Sequence, residues 1–199
     1  MTVLEDRIEM ADSIDSRPGL TLDVMFEALE KMPVPEGYKV EIVGGNIFMA
    51  PQWDTHWQII RRIVRLLEDR FGMDVNVLSD VRIDFPGELN GFAPDVAKVR
   101  DGAEKNPQGR WRYEDVEFVA EVISKKTADN DYGPKRLTYA LAEIPVYLII
   151  DPYQGRCHLF ARPKDGDYTT ETKIAFGDDV DLTDTAVGLT VETGAFPRG

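Results

Sequence analysis

At 199 residues, 43% hydrophobic and 30% charged, the chain has the size and composition of one globular domain with a sizeable core, which excludes fibrous and wholly disordered classes. Its longest apolar runs, such as "VYLIID" at 146–151, fall far short of the roughly 20 residues that span a bilayer. The formal charge of −13 argues against nucleic acid as a partner, yet residues 1–50 carry −6 and residues 163–199 carry −5, so the stretch between them is near balance at −2.

In chain order, residues 1–18 read as a flexible N-terminal arm that ends in the "SRPG" turn. The arm is acidic and lacks the basic-then-apolar pattern of a secretory leader. "TLDVMFEALEKM" reads as a helix capped by Thr21, with Val24, Met25, Ala28 and Leu29 as its apolar face. "YKVEIVGGNIFMA" reads as a hairpin about Gly44-Gly45, because glycine reaches positive φ cheaply. A long helix from Asp54 or Thr55 to Phe71 places Trp57, Ile60, Val64, Leu67 and Phe71 on one side and Arg61, Arg65 and Glu68 on the other. "VNVL", "VRIDF" and "PDVAKV" follow as short strands, then a polar loop over 101–110. "VEFVAEVIS" is apolar on both parities and reads as a central strand; "DYGPKRLTYALAE" reads as a helix and "VYLIID" as a second buried strand. That strand, helix, strand order predicts a parallel pair joined by a right-handed crossover. Two or three strands follow residue 156, "RCHLFAR" and "YTTETKIAF" being the clearest.

Two acids interrupt the apolar strands. Alternation places Asp95 on the face of Ala97 and Val99, and Glu121 on the face of Val119 and Ile123. A buried carboxylate is costly unless it is paired, hydrogen-bonded or bound to a metal. Either acid alone reads as one half of a salt bridge with Lys or Arg. Two of them, each near the end of an apolar strand and with lysines downstream of the second, suggest a site.

"APDVAKV", "FVAEVISKKT" and "DYGPKRLTYALAEIPVYLIID", preceded by "GYKVEIVGGNIFMAP" and a helical His56, resemble the Uma2 family of endonuclease-like proteins, the DUF820 group. Each motif is weak by itself; their order and spacing over roughly residues 20–192 carry the likeness. The resemblance implies a PD-(D/E)XK nuclease: a restriction-endonuclease-like α/β core over residues 19–199, with a mixed sheet flanked by helices and additional antiparallel hairpins. It implies Mg²⁺, with Mn²⁺ as a substitute, held by Asp95, Glu121 and the backbone carbonyl of Val122. It also implies a nucleic-acid partner, DNA by family likeness, and a possible homodimer.

The motif departs from the family pattern at its lysine, because Ile123 stands two residues after Glu121. Lys135 is the preferred replacement, on a helical face shared with Asp131 and Tyr139; Lys125 has the parity of Glu121 but follows the strand's expected end. Glu41 is either a further metal ligand or a solvated residue of an edge hairpin. His56 is either a supporting base or a capping surface residue. Trp53 and Trp57 could stack on bases, although the helical pattern assigns Trp57 to the core. Cys157 and His158 read as structural, and the lone cysteine, which allows no internal disulfide, fits a cytoplasmic location. The sequence thus supports a Mg²⁺-dependent endonuclease, with a catalytically silent nuclease-fold module that binds nucleic acid or protein as the alternative.

Overall fold

A computed structural model describes residues 19–34, 37–51 and 53–199; the expected arm at 1–18 lies outside the described residues. Thr21 starts helix α1 (Leu22–Glu30) as predicted, its hydroxyl accepting from the Val24 amide at 3.3 Å. The buried side of α1 differs from the expected one. Met25 and Leu29 are buried with Leu22 and Phe26 beside them, whereas Val24 and Ala28 face solvent. Strands β1 (Tyr38–Val43) and β2 (Asn46–Pro51) form the hairpin, with φ of 56° at Gly44 and 76° at Gly45. Helix α2 spans Asp54–Phe71.

Four short strands follow: β3 (Val77–Leu78), β4 (Ile83–Phe85), β5 (Asn90–Phe92) and β6 (Val96–Val99). The sequence did not announce β5. Its Gly91 lies so close to α1 that a Cβ there would sit 2.5 Å from the Phe26 ring. Strand β7 (Val116–Val122) pairs in parallel with β8 (Val146–Asp151), as the strand, helix, strand order predicted. Their connection contains α3 (Ala128–Asn130), a π-helical turn (Asp131–Lys135) and α4 (Arg136–Leu141). The tail gives β9 (Arg156–Lys164), β10 (Asp167–Ala175), β11 (Asp179–Asp181) and β12 (Thr190–Glu192).

These strands build a six-stranded mixed sheet in the order β10-β9-β8-β7-β6-β3, a four-stranded antiparallel sheet in the order β2-β1-β5-β4, and the small β11-β12 pair. One face of the large sheet packs Val96, Ala120 and Val122 against Ile59, Ile60, Ile63 and Leu67 of α2. The opposite face packs Val99, Val119 and Ile123 against β4, β5 and α4 through Phe85, Phe92 and Tyr139. Asp95 and Glu121 open onto this second side, where the two sheets meet.

Helix α2 is rotated from its predicted setting. The buried stripe is His56, Ile59, Ile60, Ile63 and Leu67, at i, i+3, i+4, i+7 and i+11. Trp57 lies about 100° around the axis from His56 and is 56% exposed, so it is not a core residue. His56, read from the sequence as either a supporting base or a capping surface residue, is buried.

Candidate active site

The antiparallel pairing of β6 and β7 sets Val96 opposite Ala120, so Asp95 meets Glu121 one step further along. The two strands also exchange bonds through these acids: the Asp95 amide donates to Glu121 Oε2 at 3.2 Å, and the Val122 amide donates to Asp95 Oδ2 at 2.7 Å. Both carboxylates are thereby fixed in orientation, and both are buried.

Lys39 of β1, which sequence reasoning missed, lies between them. Its Nζ is 2.7 Å from Asp95 Oδ1 and 3.4 Å from Glu121 Oε2. The signal was present: Lys39 precedes Glu41 by two residues on one strand and therefore shares its face. Both acids thus do form salt bridges with a lysine, as one of their two readings had it, and they also converge on one point.

Lys135 enters from the crossover and is 1% exposed. Its ammonium meets Glu121 Oε1 at 2.6 Å, Asp131 Oδ1 at 3.0 Å and both oxygens of Glu41 at 3.1 Å. The π turn accommodates Pro134, which has no amide hydrogen to donate, while Asp131 and Lys135 still face the sheet. One helical turn further on, Tyr139 donates to Glu121 Oε1 at 2.8 Å. Glu41 is buried and accepts from the Ala93 amide at 2.9 Å, so it is not the solvated hairpin residue that was one of its two readings. Lys125 stays outside, exposed, with its ammonium 4.5 Å from the centre of the Tyr153 ring.

A cavity of about 30 Å³ opens among these groups, lined by Lys39, Glu41, Asp95, Glu121, Asp131 and Lys135 and bordered by His56 and Val122. About 10–15 Å³ holds one water, so the cavity suits an ion with a water or two. When all are ionised, four carboxylates face two ammoniums, leaving two negative charges in excess. Burial opposes ionisation of Glu121, but Lys135, Lys39 and the Tyr139 hydroxyl hold its carboxyl down to about 2. Asp95 moves the other way, raised by burial and by the Glu121 charge in spite of Lys39. Burial also pushes Asp131 up to about 7, with the Glu121 and Glu41 charges adding to the rise and Lys135 opposing it. Both lysines lie above their ordinary values, because the carboxylates around each overcome the cost of burial. His56 is lowered by burial and so is neutral near pH 7; its ring lies beside the backbone of Val122 and Ile123, and neither nitrogen has a hydrogen-bond partner among the described residues.

The donors around the cavity are hard oxygens, the type that suits Mg²⁺. Among the described residues no three His, Cys, Asp or Glu side chains form a ready-made metal cluster. Mg²⁺ needs only one or two carboxylates, keeping water in its other positions. The Lys39 ammonium is itself a cation seated between Asp95 and Glu121, so the pair fits a positive ion.

Comparison with known proteins agrees with this architecture. No curated protein matches the chain. The crystal structure of "a putative nuclease belonging to DUF820 from Anabaena variabilis" superposes with a TM-score of 0.67 at 15% identity, covering 89% of this chain and 97% of that one. At that identity the likeness is one of fold. The model of the Uma2 family, described as "Putative restriction endonuclease", matches residues 26–194. This chain therefore belongs to the Uma2 family.

Proposed function

We propose that the protein is a divalent-cation-dependent nuclease that hydrolyses phosphodiester bonds, with DNA as its substrate. The observation that carries this reading is the convergence of Asp95 and Glu121, fixed across two paired strands, on a cavity lined by four carboxylates and two ammoniums. The choice of DNA rests on the family description. Asp95 Oδ1 and Glu121 Oε2, both now facing Lys39, would hold Mg²⁺ or Mn²⁺ with the Val122 carbonyl beside them. When bound, the cation polarises a phosphoryl oxygen and offsets the negative charge that builds there.

The protein's own groups account for the rest. Lys135 keeps Glu121 and Glu41 in place and balances their charge, which makes it a positioning residue. Tyr139 fixes the Glu121 oxygen that Lys135 also holds. Neutral His56 borders the cavity, and taking the proton of the attacking water would require one of its buried ring nitrogens to turn into it. That water's oxygen bonds to phosphorus as the ester oxygen departs and takes up a proton.

A second reading has one specific observation in its favour. Lys39 closes the acid pair, so the protein could be a catalytically silent binding module. Incubating supercoiled plasmid with the protein and Mg²⁺ separates the two. The nuclease reading predicts nicking that EDTA stops, that Asp95→Asn and Glu121→Gln each reduce on the order of 100-fold or more, and that Lys125→Ala leaves unchanged. Lys135→Ala should also lose activity. Plasmid left intact by wild-type protein in both Mg²⁺ and Mn²⁺ would establish the silent reading, and nicking that persists in both acid variants would show that the site lies elsewhere.

A further inference from the structure

Lys39 does something that neither the fold nor the nuclease reading requires. Of the two lysines at the site, Lys135 is enclosed at 1% exposure and surrounded by Glu41, Glu121 and Asp131. Lys39 sits nearer the surface, its side chain 10% exposed, on a strand one place from the sheet edge. Its ammonium bridges the same Asp95 and Glu121 oxygens that the proposed cation would use.

We propose that Lys39 is an internal competitor of the divalent cation, occupying the cation position in the metal-free protein and leaving it when the metal binds. The inference rests on the metal-dependent reading above and deepens it by naming what controls occupancy. Without a cation between them, Asp95 would lie buried against the Glu121 charge with no ammonium of its own, since Lys135 pairs with Glu121 and not with Asp95; the Lys39 ammonium relieves that repulsion. A divalent cation supplies twice the charge, so in exchange for the lysine it halves the site's excess from two negative charges to one and displaces the ammonium. The four-carbon stem lets the ammonium swing without moving the strand. The outward route runs along the hairpin past Ala50, the register partner of Lys39, and Pro51, both on the cavity wall. If Lys39 leaves the acids only about one tenth of the time without metal, apparent metal affinity is lowered about tenfold.

Two measurements on the full chain test this. Mn²⁺ binding, followed by the electron paramagnetic resonance signal of free Mn²⁺, should be at least about tenfold tighter in Lys39→Met than in wild type. In wild type, acetylation of Lys39 by a limiting acylating reagent, read by mass spectrometry, should be slow without metal and rise on Mn²⁺ saturation. Acylation requires a neutral amine, and the bridge keeps this one protonated and covered. The labelling arm needs no variant, so it decides the matter even if Lys39→Met fails to fold. Equal Mn²⁺ affinity in both proteins, or a Lys39 that stays protected at saturation, would overturn the inference while leaving the nuclease reading intact. Failure of both proteins to bind Mn²⁺ would instead remove the metal-dependent reading, and this inference with it.

Discussion

Asp131 is the residue in which the site's charge imbalance is most directly measurable. Its carboxyl is pushed up to about 7 by burial, Glu121 and Glu41, whereas in the unfolded chain it titrates near its ordinary value of 3.8. Between about pH 4 and 7 the native state therefore holds a proton that the unfolded chain has released. The sign follows: stability declines as pH rises through that window and levels off above it. Asparagine mimics the protonated form and removes the effect. Urea unfolding in EDTA should show wild type losing stability relative to Asp131→Asn by up to about 1.4 kcal/mol per pH unit from pH 4 to 7. Parallel curves would mean that Asp131 ionises normally. At this scale the sequence revealed the acids through strand parity, and Lys135 through its helical partners Asp131 and Tyr139. It hid Lys39 because strand spacing tells which side chains share a face, while only the meeting of the two sheets brings that face over Asp95.

At the scale of elements, periodicity located both long helices and the hairpin to within a residue or two, yet it misjudged which side of each helix was buried. In α2 the apolar pattern admits two neighbouring stripes, and a large aromatic such as Trp57 draws the eye to the wrong one. Contact with the sheet selects the other, because Ile59 and Ile63 meet Val96 and Ala120, and His56 is carried inward with them. Two substitutions separate the settings. Ile63→Ala should cost about 2–5 kcal/mol in a urea titration, whereas Trp57→Ser at an exposed position should change stability by less than about 0.5 kcal/mol. A large loss from Trp57→Ser would restore the predicted stripe. Strand β5 escaped notice for a different reason. Three residues with a central glycine carry no pattern, and the strand exists because Gly91 lets α1 close over it.

Over the whole molecule, the α/β class, the parallel β7-β8 pair and the family were legible in motif order, while the joining of a hairpin sheet to the main sheet was not. That joining makes the site: Glu41 and Lys39 come from the small sheet, Asp95 and Glu121 from the large one, and Lys135 from the crossover between β7 and β8. Among the described residues no helix is long and apolar enough to cross a membrane. The overall charge of −13 weakens long-range attraction to nucleic acid, so the proposed activity depends on the local field of the site, where a bound cation would offset the excess negative charge that a phosphate meets. The most direct test is a crystal grown with Mn²⁺ and measured for anomalous scattering. The account predicts a peak about 2 Å from Asp95 Oδ1 and Glu121 Oε2, with Lys39 turned outward. Absence of a peak at millimolar Mn²⁺, with Lys39 still bridging the two acids, would contradict it.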